Sequence, residues 1–181
     1  MNEVLERLIA VDSDFSESKF KSKVENIFVQ IKLSIVTGKI EKIDHFVSDE
    51  TYEKIKQKVD IDKQNNRIQL YDELNVADIQ IINIEELQDR FNIRVKVHSK
   101  ALEYYIDRDS KKFISGNKDD RIDRFTEITF TKMKDAHNYK IARKCPSCGA
   151  IIDVNANGQC RYCHTIFNLE KYDWVITEME I

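Results

Sequence analysis

Between positions 14 and 38, DFSESKFKSKVENIFVQIKLSIVTG, apolar residues recur every three or four places. Phe20, Val24, Ile27, Phe28, Ile31 and Ile35 fall on one stripe, as on an amphipathic helix that buries a single face. Asp14 with Glu17 offers a capping pair at its start, and Gly38 stands where such a helix stops. Two shorter helical stretches follow. KIEKIDHFV sets Ile40, Ile43 and Phe46 or Val47 on one side. Ser48 then caps a long segment in which Tyr52, Ile55 and Val59 carry the helical spacing on toward Tyr71 and Leu74. After Asn75 the period changes to two. DIQIINIEEL, FNIRVKVHSKALEYYID and RFTEITFTKM are rich in β-branched and aromatic residues, with alternation at Ile93, Val95 and Val97 and at Thr126, Ile128 and Phe130. Gln88, Asp89, Arg90 and Phe91 read as a hairpin. DRDSKKFISGNKDDR reads as a polar loop around Gly116, and the closing YDWVITEMEI alternates like a further strand.

Helices first and antiparallel strands afterwards predict an α+β fold, with the N-terminal helices packed on a curved sheet. The 181 residues, 41% hydrophobic and 34% charged, suit one soluble domain with a small appendage. The longest apolar runs, such as Ile81-Ile82, fall far short of the roughly 20 residues a membrane span requires. MNEVLERLIAV has acids where a secretory leader carries lysines, so a cytoplasmic setting with reduced thiols is expected. The net charge is −3, which argues against a general nucleic-acid binder. Charge is uneven, however. Residues 132–171 hold seven basic side chains against three acidic ones, +4, and leave −7 for the remainder.

All four cysteines lie between 144 and 163, in KCPSCGAIIDVNANGQCRYC. Cys145-x2-Cys148 and Cys160-x2-Cys163 are separated by eleven residues, and two such turns present four thiolates to one tetrahedral zinc ion. Pro146 stiffens the first turn and Gly149 follows it. A redox dithiol needs a single C-x-x-C at a helix start, and disulfides need an oxidising compartment. Four cysteines fill the shell without His164. Hydrolytic zinc keeps an open position for water, so the reading is structural zinc. The ribbon precedes the last strand. If that strand pairs with RFTEITFTKM, the metal clips a long loop in their hairpin.

The segments DSDFSESKFKSKVENIFVQI, IEKIDHFVSDETYEKI, RFTEITFTK and DWVITEM together resemble the domain of translocase-of-inner-membrane subunit forty-four and its bacterial relatives. Glu127-Ile128-Thr129-Phe130 and Trp174-Val175-Ile176 resemble that family's E-x-W-T-F and W-x-L strands, with Ile128 in place of its Trp and Ile176 in place of its Leu. Some bacterial members carry a C-P-x-C-G…C-x-Y-C ribbon before the last tryptophan strand. The resemblance spans residues 12–134 and 172–181. It implies a cone-like fold of the nuclear-transport-factor-two type and a non-catalytic scaffold at the membrane periphery. Many bacterial relatives have an N-terminal membrane anchor, and none is seen in this sequence.

The expected organisation is an N-terminal helical segment at 1–11, a discontinuous cone-like domain at 12–134 and 171–181, and an inserted zinc ribbon at 135–170. The expected function is binding of a protein segment or lipid, through an apolar pocket or the sheet surface. Phe20, Val24, Phe28, Val95, Val97, Tyr105, Ile128, Phe130 and Trp174 are the candidate pocket lining. The plainer alternative is that they only fill the core. An isomerase or dehydratase reading needs an acid–base pair in an apolar pocket. His45, His98 and His137 offer no such pair, His98 alternates away from Val95 and Val97, and Glu127 alternates outward. Nucleic-acid or protein contact through the basic ribbon, at Arg143 and Arg161, is a third reading.

Overall fold

A computed structural model describes residues 2–134, 162 and 174–181. Three α-helices, α1 (Asn2–Val11), α2 (Glu17–Thr37) and α3 (Asp49–Gln64), precede four strands. These are β1 (Arg67–Glu86), β2 (Arg90–Asp107), β3 (Phe113–Met133) and β4 (Val175–Met179), which form one antiparallel sheet in the order β1-β2-β3-β4. The α+β expectation therefore holds.

The stripe read from the sequence is the buried face of α2, and Ser34 joins it. Its N-cap is Ser16, not Asp14: the Ser16 hydroxyl accepts from the Lys19 backbone N–H. Gly38 ends the helix in the left-handed conformation, φ 70°. The Ile40–Val47 stretch forms two short 3₁₀ turns. Ser48 caps α3 as expected, its hydroxyl accepting from the Thr51 N–H.

α3 is shorter than its apolar spacing suggests. It stops at Asn65, and Asn66 turns the chain at φ 50° into β1. Tyr71 and Leu74 lie in that strand, where Tyr71 faces Glu103 across the ladder. The supposed loop at 107–121 is also largely strand, because 113–117 pairs with β2. Gly116 makes this possible. Its φ is 108°, and a Cβ there would lie 2.5 Å from the Glu103 carbonyl oxygen.

β2 alternates regularly. Phe91, Ile93, Val95, Val97, Ser99 and Ala101 point inward and are buried, opposite Thr126, Ile128 and Phe130 of β3. Helices cover this inner face. Leu8 of α1 is 1% exposed within the same core as α2 and α3.

The last strand is gripped on both sides. Ile128–Thr131 of β3 pairs with β4, as the sequence suggested, and Val47 bridges Ile176 in parallel on the other flank. The Ser48 N–H donates to the Ile176 carbonyl at 2.8 Å, and the Thr51 hydroxyl donates to the Thr177 carbonyl at 3.0 Å. Beneath this strand, Lys132 of β3 makes a buried ion pair with Asp12. Among the described residues no helix is long and apolar enough to cross a membrane.

Candidate functional site

Eight of the nine candidate pocket residues meet in one packed cluster. Phe20, Val24, Phe28, Val95, Val97, Ile128, Phe130 and Trp174 all belong to the hydrophobic core. The Phe20 ring stands edge-on to Phe130 at 5.4 Å and to Trp174 at 5.3 Å, with Phe15 closing the group. The helix stripe and the sheet face are complementary in volume, so they fill one another. Tyr105 lies elsewhere, at the far end of the sheet. Its ring carries the Arg67 guanidinium at 4.3 Å, and its hydroxyl donates to Gln69 Oε1 at 3.1 Å.

An open cleft of about 560 Å³ lies instead between the first half of α2 and the middle of β1. Glu17, Ser18, Lys21, Ser22 and Glu25 form its helix wall, and Val76, Ala77, Asp78 and Ile79 its strand wall. β1 is an edge strand, and its pairing with β2 slips between Val76 and Asp78, so it bends there. The bend is held by Asp78, whose carboxylate accepts from the Ile79 N–H at 2.8 Å and from the Gln80 amide at 2.9 Å. Lys21 is paired with Glu17 at 2.7 Å. Three carboxylates against one ammonium make the cleft acidic. Local patterning gives no signal for it, since Asp78 and Gln80 alternate with Ala77, Ile79 and Ile81 as on any half-buried strand.

At the other end of the inner face, the sheet outruns the helices and a polar cluster forms. Asp62 of α3 receives Lys58 at 2.9 Å and Arg67 at 2.7 Å, while Glu103 of β2 receives Arg124 of β3 at 3.1 Å. Lys32 of α2 points its ammonium at the Tyr71 ring, 4.4 Å from the centroid. Burial pulls the Lys32 pKa down to about 8 and pushes that of Tyr71 well up.

The outer face is polar along its lower half. Arg94, Lys96, His98 and Lys100 alternate outward on β2, and Glu127 and Asp123 stand in register with Lys96 and Lys100. His98 faces away from Val95 and Val97, as its position predicts, and Glu127 is exposed. Sequence reasoning missed one pair: His98 Nε2 lies 2.5 Å from Asp123 Oδ1, and its ring stacks on Phe125 at 4.5 Å. The His98 hydrogen bond, with that of Lys100, holds the Asp123 carboxyl below its usual range. The pair sits on an open sheet surface beside Phe125, which is 60% exposed, and not in a pocket that excludes water. His45 is half-buried against Phe46, and burial lowers its pKa. Cys145, Cys148, Cys160 and Cys163 lie outside the described residues, as do His137, Arg143 and Arg161. Among the described residues no group of three potential metal ligands occurs.

No curated protein matches the sequence. The intermembrane space region of the chloroplast protein ARC6 is similar in structure, with a TM-score of 0.49 and 9% identity over 92% of this chain and 96% of that one. That likeness is too slight to bear on fold or role. The sequence does match the family described as the Tim44-like domain, over residues 1–145. The match takes in all three helices and the first three strands, and ends at Cys145, short of β4. The chain thus belongs to the family of Tim44-like domains, which are non-catalytic binding and scaffold domains.

Proposed function

We propose that this domain is a non-catalytic binding module that holds a cationic, extended protein segment in the cleft between α2 and β1. The cleft itself carries the reading: about 560 Å³ of open space beside an edge strand, walled by Glu17, Glu25 and Asp78 against Lys21. Its volume falls in the range of ligand sites, and its excess negative charge favours basic side chains. The filled core behind it speaks for a protein segment over a lipid chain, since an acyl chain needs an apolar cavity. Family membership supports binding over catalysis. We place Cys145, Cys148, Cys160 and Cys163 around one structural zinc ion. The four-thiolate donor set fits a closed shell, whose work is to hold the chain as it returns to β4.

A labelled peptide of alternating lysine and valine, titrated into the full chain with amide spectra recorded by NMR, tests the cleft. Shifts confined to α2 and to residues 76–79, weakened by salt and abolished in Glu25→Lys/Asp78→Lys, are expected. Shifts elsewhere, or undiminished binding by that variant, refute the site. Stabilisation by anionic phospholipid vesicles with no response to the peptide overturns the protein-segment reading in favour of lipid.

A further inference from the structure

The polar end of the inner face holds more cations than carboxylates. Lys32, Lys58, Arg67 and Arg124 converge there on Asp62 and Glu103, from two helices and two strands. Both carboxylates are already engaged, Asp62 by Lys58 and Arg67 and Glu103 by Arg124. Among the described residues, no carboxylate lies within ion-pair distance of Lys32 Nζ, which stands instead over the rings of Tyr71 at 4.4 Å and Phe28 at 5.4 Å. The Tyr71 hydroxyl likewise has no acceptor among the described residues, although Tyr71 is only half-buried.

A largely desolvated ammonium that makes no direct ion pair costs stability, and Glu103 at longer range with two ring faces offsets only part of that cost. The other cations of the cluster have their partners. We propose that Lys32 and the Tyr71 hydroxyl form an oxyanion-binding site, which takes the carboxylate or phosphate group of a small ligand. Beyond burial, Glu103 attracts the Lys32 ammonium from a distance, and Lys58 and Arg124 oppose that attraction. Tyr71 stays protonated there, so its hydroxyl remains a donor. The site lies on residues distinct from those of the α2–β1 cleft and stands whether or not that cleft binds a segment.

Sodium phosphate and sodium benzoate, titrated separately into the full chain at ionic strength matched with chloride, distinguish the two sources of the oxyanion. Melting temperature and the Tyr71 ring signals are the readouts. A saturable rise in melting temperature with at least one anion is expected, together with shifted Tyr71 signals. Lys32→Met should weaken that binding at least tenfold, and Tyr71→Phe, which loses only the hydroxyl, at least threefold. Lys96→Met, on the opposite face, should leave it unchanged. Because Lys32→Met removes a partly desolvated charge that makes no direct ion pair, it should melt at or above the wild type in chloride alone. Equal affinity in Lys32→Met, or no saturable response to either anion, overturns the proposal.

Discussion

Phe20 is where the helical layer, the sheet and the returning C-terminal strand meet, and its removal measures how tightly they are joined. The side chain is 3% exposed and touches Phe15, Phe130 and Trp174, the last two edge-on at 5.4 and 5.3 Å. Phe20→Ala loses the transfer energy of a buried ring and leaves a cavity, a combination that costs about 3–5 kcal/mol. The two edge-on pairs, each worth about 0.5–1.5 kcal/mol beyond burial, place the expected loss near the top of that range. Trp174 is the only tryptophan, so its fluorescence reports on this spot alone. In urea, with a slope of about 2 kcal/mol/M, the unfolding midpoint should fall by about 2 M. Trp174 emission of the folded variant should move to longer wavelength, because the ring loses one of its walls. Leu33→Ala, on the same helix but 58% exposed, should stay within about 0.5 kcal/mol of the wild type. A midpoint shift below about 0.5 M for Phe20→Ala, or one no larger than that of Leu33→Ala, refutes the packing described here.

Asp12 is buried and Lys132 largely so, and Lys132→Met should cost about 3–5 kcal/mol by stranding a buried carboxylate, whereas Asp12→Leu/Lys132→Met should restore most of the loss; equal costs for the two variants, read by urea unfolding, would contradict this. Lys32 titrates near pH 8 when folded and near 10.5 when unfolded. Below pH 8 both states keep the proton and the folded state bears the full burial cost; above it only the unfolded state holds on, so stability rises with pH. By pH 10 that gain amounts to at most about 2.5 kcal/mol, and from there Tyr71, held protonated by burial, acts in the opposite direction. The difference in stability between wild type and Lys32→Met should therefore change between pH 8 and 10, and a flat difference would rule the assignment out. Zinc removal by a chelator is expected first to release the segment around the four cysteines and then to loosen Trp174; a Cys145→Ser protein with wild-type melting and Trp174 emission would sever that link.

The helices show how far local patterning reaches. Ser48 and Gly38 act as the sequence implies, because a capping hydroxyl and a left-handed glycine need only their neighbours. The choice of Ser16 over Asp14 as N-cap turns on which residue takes the extended conformation at the helix entry, and both residues have suitable side chains. The stretch 65–76 misleads for a different reason. RIQLYDELN has helical spacing, but pairing with β2 from Asp107 to Ser99 outweighs local preference. In 107–121 the charged residues suit a loop and equally an exposed edge, and β2 decides between them by pairing.

The candidate site was less legible than the fold. The cleft left no mark on local patterning, because it exists only where α2 runs beside a bent β1. His98 and Asp123 are 25 positions apart and meet through strand register, which no local pattern encodes. Lys32 reads as an ordinary helix lysine until Tyr71 arrives from β1 and every nearby carboxylate is found to be taken.

By itself, the sequence determined the α+β order, the buried face of α2, the inward set of β2 and β3, and the spacing of two C-x-x-C pairs. These follow from periodicity and ligand spacing, which are properties of short stretches. Only the tertiary structure decided that the apolar set is a filled core and not a pocket, because cavity volume is the small difference between surfaces contributed by distant segments. It also decided where charge is left unmatched. That depends on which side chains compete for the same carboxylate, and so on how the whole chain is packed.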